Sequence, residues 1–340
     1  ETSASIVSSG NELKSLVVAS SSDFHVLYGG IVPEIASRKQ LELIIPVVDE
    51  SLKKAKLKMS DISAIAVTEG PGLAGSLLIG VLTARNLALS FNKPLYAVNH
   101  VSAHIYANFI TKSHDKSVKP LKNSPSFPFL GVIISGGHCQ TVLFENHIKY
   151  KVIGRTLDDA IGEAFDKVAK ILGLPYPGGP NISKCALNGK NIYDFPLAIV
   201  NRYDFSFSGL KTAVLRKAQS LIGKDYNFPS YKLAKALSEA QKANLAASFE
   251  ATAIKSLIIQ INNAAKDYQV NKIVLAGGVA ANNKIRQTLL SLKDFEVYMP
   301  DINLCTDNAA FVASMAGYKI KNKISKSDPL TLDIKPNLKM

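Results

Sequence analysis

Two histidines four residues apart, His100 and His104 in the run Asn-His-Val-Ser-Ala-His, are the first side chains of this sequence that could do chemistry together. On a helix, an i, i+4 spacing puts both imidazoles on one face, where they can hold one metal ion. The plainer reading is two polar residues on an exposed face. The hydrolytic form of this motif, H-E-x-x-H, places a glutamate after the first histidine to activate water. Val101 stands in that place, so the pair points to a metal without hydrolysis.

Two glycine pairs offer a different chemistry. In Ser135-Gly136-Gly137-His138 the missing Cβ atoms let backbone approach a phosphate or acyl group, and successive N–H groups can form an anion nest. A tight hairpin is the alternative. Ala276-Gly277-Gly278-Val279 suits a nucleotide, with Asn282 as a hydrogen-bonding side chain, or else close strand–helix packing. It lacks the G-x-G-x-x-G spacing of a dinucleotide site. Asp159, Glu163 and Asp166 follow i, i+4, i+7 and could share a face that meets ribose hydroxyls. Asp158 and Asp159 read more simply as helix N-terminal acids favoured by the macrodipole. In Cys305-Thr306-Asp307-Asn308, Asp307 is either a helix cap or a third metal ligand.

The elements that must position these groups follow an α/β order. Residues 62–67 predict a buried strand running into a turn-forming Thr-Glu-Gly-Pro-Gly, then a helix from about Ala74 to Ser90. Residues 95–98 predict a second strand, with Asn99 capping the helix that carries the histidines. The polar, basic, proline-containing stretch 111–127 reads as a loop or lobe junction. Residues 130–134 and 141–144 predict a hairpin around the first glycine pair. A helix is expected from Leu157 to about Leu172, a long helical region over 232–267, a strand over 272–276 and a helix from about Asn282.

Composition narrows the classes. The chain has 340 residues, 47% of them hydrophobic, which excludes intrinsic disorder and suffices for two lobes of ordinary size. The longest apolar stretch, Gly70 to Ala84, falls short of the roughly 20 residues that a membrane span requires. No secretory signal peptide is expected. Cys139, Cys185 and Cys305 have no C-x-x-C spacing, which argues against a disulfide framework or structural zinc and for a reducing compartment. The formal net charge of +13 suggests a polyanionic partner or simply solvated faces. Basic clusters sit at Lys53, Lys54, Lys56 and Lys58, at Lys112, Lys116, Lys119 and Lys122, and along the tail from Lys319 to Lys339.

Taken in order, the motifs are specific. They are YGGIVPEIASR at 28–38, TEGPGLAGSL at 68–77, NHVSAH at 99–104, ISGGH at 134–138, TLDDAIGEAFDKVAKILGLPYPGGP at 156–180, FSFSGLKTAV at 205–214, AGGVAANNKIR at 276–286 and CTDNAAFVA at 305–313. Over nearly its whole length the sequence resembles the universal tRNA threonylcarbamoyladenosine synthase family, once labelled an endopeptidase. The resemblance implies an α/β, two-lobed actin/hexokinase/Hsp70-like fold with a nucleotide cleft. The first lobe would span residues 1–124, completed by about 306–340, and the second 125–305.

The resemblance also implies a reaction: transfer of threonylcarbamoyl from threonylcarbamoyl-adenylate to N6 of adenosine 37, in tRNAs reading codons that begin with A, with release of AMP. The family's ligands for one iron or zinc ion match His100, His104 and Asp307. Its adenylate and acyl contacts match Ile133, Ile134, Ser135, Gly136, Gly137, Asp166, Gly179 and Asn282. Implied partners are tRNA and the accessory proteins of the pathway (a related inactive paralogue and a small ATPase in bacteria) or a second copy. The implied compartment is the cytoplasm, with the mitochondrion as the alternative.

The sequence departs from the family in its first loop. Glu-Thr-Ser is usually followed there by Cys-Asp-Asp-Thr, whereas Glu1-Thr2-Ser3 runs directly into Ala4-Ser5-Ile6-Val7. That acidic loop is the source of a candidate general base, which leaves the base unassigned. Cys139 also stands where threonine is usual. Two other readings remain open: a phosphotransferase or ATPase of the same fold, which would use magnesium and have no need of paired histidines, and a non-catalytic tRNA-binding subunit.

Overall fold

Residues 2–19 form a β-hairpin in the computed structural model of the chain, which describes residues 1–20 and 32–340. Strands β1 (Thr2–Ser8) and β2 (Glu12–Ala19) pair antiparallel from Thr2↔Ala19 onward. Glu1-Thr2-Ser3 therefore opens a strand, and no loop follows Ser3. Of the motif at 28–38, residues 28–31 lie outside the described residues. Its Pro33 occupies the first turn of α1 (Pro33–Ala55), where a missing N–H costs nothing.

This hairpin belongs to the first of two units, which comprises Glu1–Phe127, Glu145–Lys149 and Tyr298–Met340. Strand β3 (Ile65–Gly70), helix α2 (Ala74–Ser90) and strand β4 (Leu95–Asn99) make a parallel βαβ crossover. The strand expected at 62–67 starts later and runs through Thr68-Glu69-Gly70, because its ladder with β4 continues to Gly70↔Asn99. Val81, Ala84 and Ala88 of α2 bury against Leu95 and Leu332. Helix α3 (His100–Ala103) follows and passes into a 3-10 turn over His104–Phe109. The short strand β5 (Lys112–Ser113) then pairs parallel with β2, and the rest of 111–127 is largely irregular.

The second unit comprises Pro128–Phe144 and Tyr150–Val297. It holds β6 (Phe129–Ile134), β7 (Cys139–Phe144), β8 (Tyr150–Arg155), α4 (Ile161–Leu172), α5 (Gly178–Ala186), α6 (Phe207–Leu221), α7 (Ser230–Ala236), α8 (Glu239–Tyr268), β9 (Lys272–Ala276), α9 (Asn283–Leu290) and β10 (Glu296–Tyr298). The sheet order is β10-β9-β6-β7-β8, with β6 antiparallel to β7 and parallel to β9. β6 is buried along its whole length, as expected of a central strand.

Two expected helices are shorter than the sequence suggested. Leu157–Ala160 stay outside α4 because Asp158 serves another element: its carboxylate accepts the N–H groups of Phe207 and Ser208 and the hydroxyls of Ser206 and Ser208. It thus caps α6 rather than its own helix. The region 232–267 breaks at Leu237-Ser238, where Ser238 and Gln241 form a capping box that starts α8. From Tyr298 the chain is back in the first unit, which ends with α10 (Ala309–Lys321) and a tail anchored by Arg85, whose guanidinium donates to the carbonyls of Pro329, Leu330 and Leu332.

Candidate functional site

The first unit brings His100, His104 and Asp307 together. Asn99 ends β4 and starts α3, its Oδ1 accepting the N–H groups of Val101 and Ser102. Such a cap is worth about 1 kcal/mol and fixes where the histidines emerge. Asp307 arrives from the far end of the chain. It is not the cap of α10: Asn308 is, accepting the N–H of Ala310. That leaves the Asp307 carboxylate to face the imidazoles.

The Nε2 atoms of His100 and His104 lie 3.5 and 3.4 Å from the same oxygen, Oδ1 of Asp307. Charge-assisted hydrogen bonds run at about 2.7–2.9 Å, so these contacts are too long to be good ones. Two donors each about 2.1 Å from a tetrahedral ion stand about 3.4 Å apart, which matches. All three ligand atoms lie within 4.8 Å of one another. Phe311 walls the cluster, 4.4 Å from His104 ring to ring. His104 is buried, and its Nδ1 has no partner among the described residues, so its polar engagement is toward the cluster alone. Burial lowers the His104 pKa against the opposing pull of Asp307, favouring the neutral, ligating ring. Surrounding protein raises the Asp307 pKa, but the two imidazoles outweigh this and hold it well below the usual carboxylate range. The Asp307 side chain keeps 56% of its exposure, so the cluster opens to solvent on that side.

The second unit gathers the other predicted residues at the carboxyl ends of β6 and β9, the usual place for ligands on open α/β sheets. Ile133 and Ile134 are fully buried, so only their backbone can face a ligand. In the turn after them, the Ser135 N–H donates to the His138 carbonyl and the His138 N–H to Ser135 Oγ. This leaves the N–H groups of Gly136 and Gly137 for an anion. α4 closes on this turn: a Cβ on Gly162 would stand 2.7 Å from the Ser135 carbonyl oxygen. Asp166, on the same helix, accepts the Gly178 N–H at 2.6 Å. Its pKa is raised, chiefly by burial.

The glycines here are of two kinds. Gly277 has φ +95°, and a Cβ on it would sit 2.3 Å from the Ile134 carbonyl oxygen; one on Gly178 would sit 2.5 Å from Asp166 Cα. These two are needed to close the fold. Around Gly136, Gly137, Gly179 and Gly278 a Cβ would meet nothing within 4 Å, and none of the four has positive φ. No described residue fills the space beside these four, so their backbone is open to a ligand.

Asn282 is placed at this edge but is heavily engaged. Its Oδ1 caps α9 through the Ile285 N–H, and its Nδ2 donates to Ser183 Oγ and to Glu250 Oε1 at 3.0 and 3.1 Å. Glu250, buried on α8, also accepts the Ser183 hydroxyl at 2.6 Å. Sequence reasoning missed this carboxylate. Its signal was a lone acid inside the apolar run Ala246–Ile254 of a buried helix. The expected face of Asp159, Glu163 and Asp166 divides: Asp159 and Glu163 both pair with Lys167, Asp159 also with Lys211, and Asp166 turns to Gly178.

Comparison with known proteins identifies the family of the chain. A family model described as tRNA N6-adenosine threonylcarbamoyltransferase matches residues 12–314. A protein of that name from Kosmotoga olearia is 47% identical over 329 residues, covering 95% of this chain and 92% of its own. One from Staphylococcus epidermidis is 44% identical over 323 residues, covering 94% and 88%. Among solved structures, full-length HypF in a phosphate- and nucleotide-bound form aligns with TM-score 0.55 at 15% identity over 84% of this chain, and HypF from T. kodakarensis with 0.56 at 15% over 83%. The chain spans 42% and 43% of those two, so the likeness is one of fold. The mixed α/β architecture is of the actin/hexokinase/Hsp70-like class. Among the described residues no helix is long and apolar enough to cross a membrane.

Proposed function

Because the chain belongs to the tRNA N6-adenosine threonylcarbamoyltransferase family, we propose that His100, His104 and Asp307 hold its metal and that the glycine-lined strand ends of the second unit take an adenylate. The chain is an acyltransferase that modifies N6 of adenosine in tRNA. The donor in this reading is threonylcarbamoyl-adenylate, the acceptor adenosine 37 in tRNAs that read codons beginning with A, and the leaving group AMP.

The chemistry sets the requirements. N6 of adenine is a poor nucleophile because its lone pair is delocalised into the ring, so the carbonyl it attacks must be activated and well placed. His100, His104 and Asp307 would hold an iron or zinc ion there, and the ion would supply Lewis-acid polarisation of such a carbonyl. Gly136 and Gly137 offer N–H groups to a developing oxyanion or a phosphate. Asp166 orders the Gly178-Gly179 turn against which the nucleotide lies. Glu250 and Ser183 fix the Asn282 amide, so that residue serves both the α9 cap and the pocket edge. Adenosine 37 lies in a single-stranded loop, which lowers the cost of presenting it.

The observation that carries the reading is the convergence of both Nε2 atoms on Asp307 Oδ1 at 3.4–3.5 Å. A phosphotransferase of the same fold has no use for that pair. None of Cys139, Cys185 and Cys305 forms a disulfide among the described residues, which fits a reducing cytoplasm as the place of action. In this reading an accessory protein of the pathway, or a second copy, completes the working assembly. The test is mass spectrometry of anticodon-loop nucleosides after incubation with tRNA and threonylcarbamoyl-adenylate, with and without the pathway's accessory proteins. Threonylcarbamoyladenosine is the expected product, and unmodified adenosine with an active control enzyme would refute the reading.

A further inference from the structure

The second unit carries a surface that the metal cluster and the glycine turns do not use. Phe207 to Leu237, covering α6, its following loop and α7, contains Arg216, Lys217, Lys224, Lys232 and Lys235 against one acid, Asp225, besides Lys211, which pairs with Asp159. The two most exposed tyrosines among the described residues lie within it, Tyr226 at 69% and Tyr231 at 74%. Each has a cation at its ring: Arg216 is 5.7 Å from the Tyr226 centroid, and Lys232 is 5.9 Å from that of Tyr231. Beside them Lys217 stands 5.0 Å from the ring of Tyr193.

The loop that presents Tyr226 is built to hold still. Gln219 is buried at 2% exposure, and its Nε2 donates to the carbonyls of Tyr226 and Phe228. Arg216 donates to the Tyr226 carbonyl and to Gln219 Oε1. Asp225 turns the chain by accepting the Asn227 N–H. A buried amide is thus committed to fixing a loop whose most prominent side chain points a large aromatic ring at water.

A solvated face needs lysines but has no use for exposed rings. A protein partner would favour an apolar patch with few lysines, since interface cores are depleted in lysine. Cations interleaved with aromatic faces fit a single-stranded nucleic acid, whose phosphates take the charges and whose unpaired bases stack on the rings. The loop 111–127 offers the contrast: Lys112, Lys116, Lys119 and Lys122 are all exposed, but no exposed tyrosine or phenylalanine stands among them, and the one exposed ring, His114, is held by Glu12.

We propose that α6, the loop 222–229 and the first turn of α7 form a docking surface for a single-stranded segment of tRNA, with Tyr226 and Tyr231 as stacking platforms. The proposal rests on the reading of this chain as a tRNA-modifying enzyme and adds where the RNA is held.

The test is a titration of labelled tRNA into the full chain at several salt concentrations, with AMP binding followed by calorimetry as the check on folding. Tyr226→Ala and Tyr231→Ala should each weaken tRNA binding roughly five- to 150-fold if the ring stacks on a base. Tyr226→Phe and Tyr231→Phe should keep wild-type affinity, because the ring and not the hydroxyl does the stacking. Replacing Lys224, Lys232 and Lys235 together by Gln should lower the log–log salt slope by about two to three. AMP affinity should stay unchanged throughout. Wild-type tRNA affinity in both alanine variants, with an unchanged slope in the lysine variant, would overturn the surface. A wild-type chain that binds no tRNA at any salt concentration would overturn the underlying reading instead.

Discussion

The candidate metal cluster of the first unit and the candidate adenylate site at the glycine-lined strand ends of the second are specified in opposite ways. At the cluster, the proposed function rests on side chains that converge: two imidazoles and a carboxylate, brought in by Asn99 and Asn308 acting as caps on either side. At the strand ends the proposed function rests on side chains that are missing. Gly136, Gly137, Gly179 and Gly278 leave backbone bare where no contact among the described residues demands it. A side-chain site can be emptied by one substitution with the fold intact. A backbone site is harder to dissect, because packed and open glycines alternate along the same turns.

Neighbouring glycines give the sharpest break between packing and binding. Gly277→Ala forces a Cβ into the Ile134 carbonyl at a positive φ, and should cost about 2–4 kcal/mol or prevent folding. Gly278→Ala should leave stability within about 1 kcal/mol, with a gain permitted by the stiffer unfolded chain, yet weaken AMP binding. Thermal unfolding and calorimetry on the two variants check this. Equal losses of stability would erase the distinction between the two kinds of glycine.

The Ser183–Glu250–Asn282 group sharpens the comparison, since here side chains support a backbone site. Asn282→Ala removes a cap and leaves Glu250 short of a donor, so it should cost about 1–3 kcal/mol of stability as well as weaken AMP binding. Glu250→Gln keeps an acceptor for Ser183 and should be milder than Glu250→Ala in both readouts. Urea unfolding beside AMP titration separates the two effects, and wild-type stability in Asn282→Ala would show that its internal bonds carry no weight.

The smallest effect concerns His147, which the first unit encloses among Tyr106, Phe109, Phe127 and Tyr318. Burial, with help from the Lys321 charge, pushes its pKa down to about 4, whereas the unfolded imidazole titrates near 6.5. Between those values the unfolded chain binds more protons. Stability should therefore fall as pH drops from about 6.5 towards 4 and level off below it. Because the ring is only half-buried, the slope should be shallow. His147→Phe should flatten that part of the profile measured by urea unfolding, and an unchanged profile would assign the slope to other groups.

Much of the fold was legible because it is local. The helix Ala74–Ser90, the strand Lys272–Ala276 and the hairpin around Gly136-Gly137 lie where apolar pattern and turn residues put them. The errors came from residues whose partners are remote in sequence. Asp158 looked like the start of its own helix and instead caps one beginning at Phe207, 49 residues on. Asp307 stood open between a cap and a third metal ligand, and only the structure shows that Asn308 fills the cap. In the candidate site, histidine spacing announced the cluster, but only tertiary structure distinguishes Gly277 from Gly278. Glu250 was hidden because its meaning depends on Ser183 and Asn282, far away along the chain.

The account stands most directly on the sharing of one ion by His100, His104 and Asp307. Elemental analysis of the purified chain beside His100→Ala, His104→Ala and Asp307→Ala, each checked for folding by circular dichroism, measures this. Wild type should carry about one iron or zinc per chain and each variant less than roughly a tenth of that, since removing one of three protein ligands exceeds the 10- to 100-fold loss typical of outer-shell changes. Folded variants that retain the wild-type metal content would contradict the account.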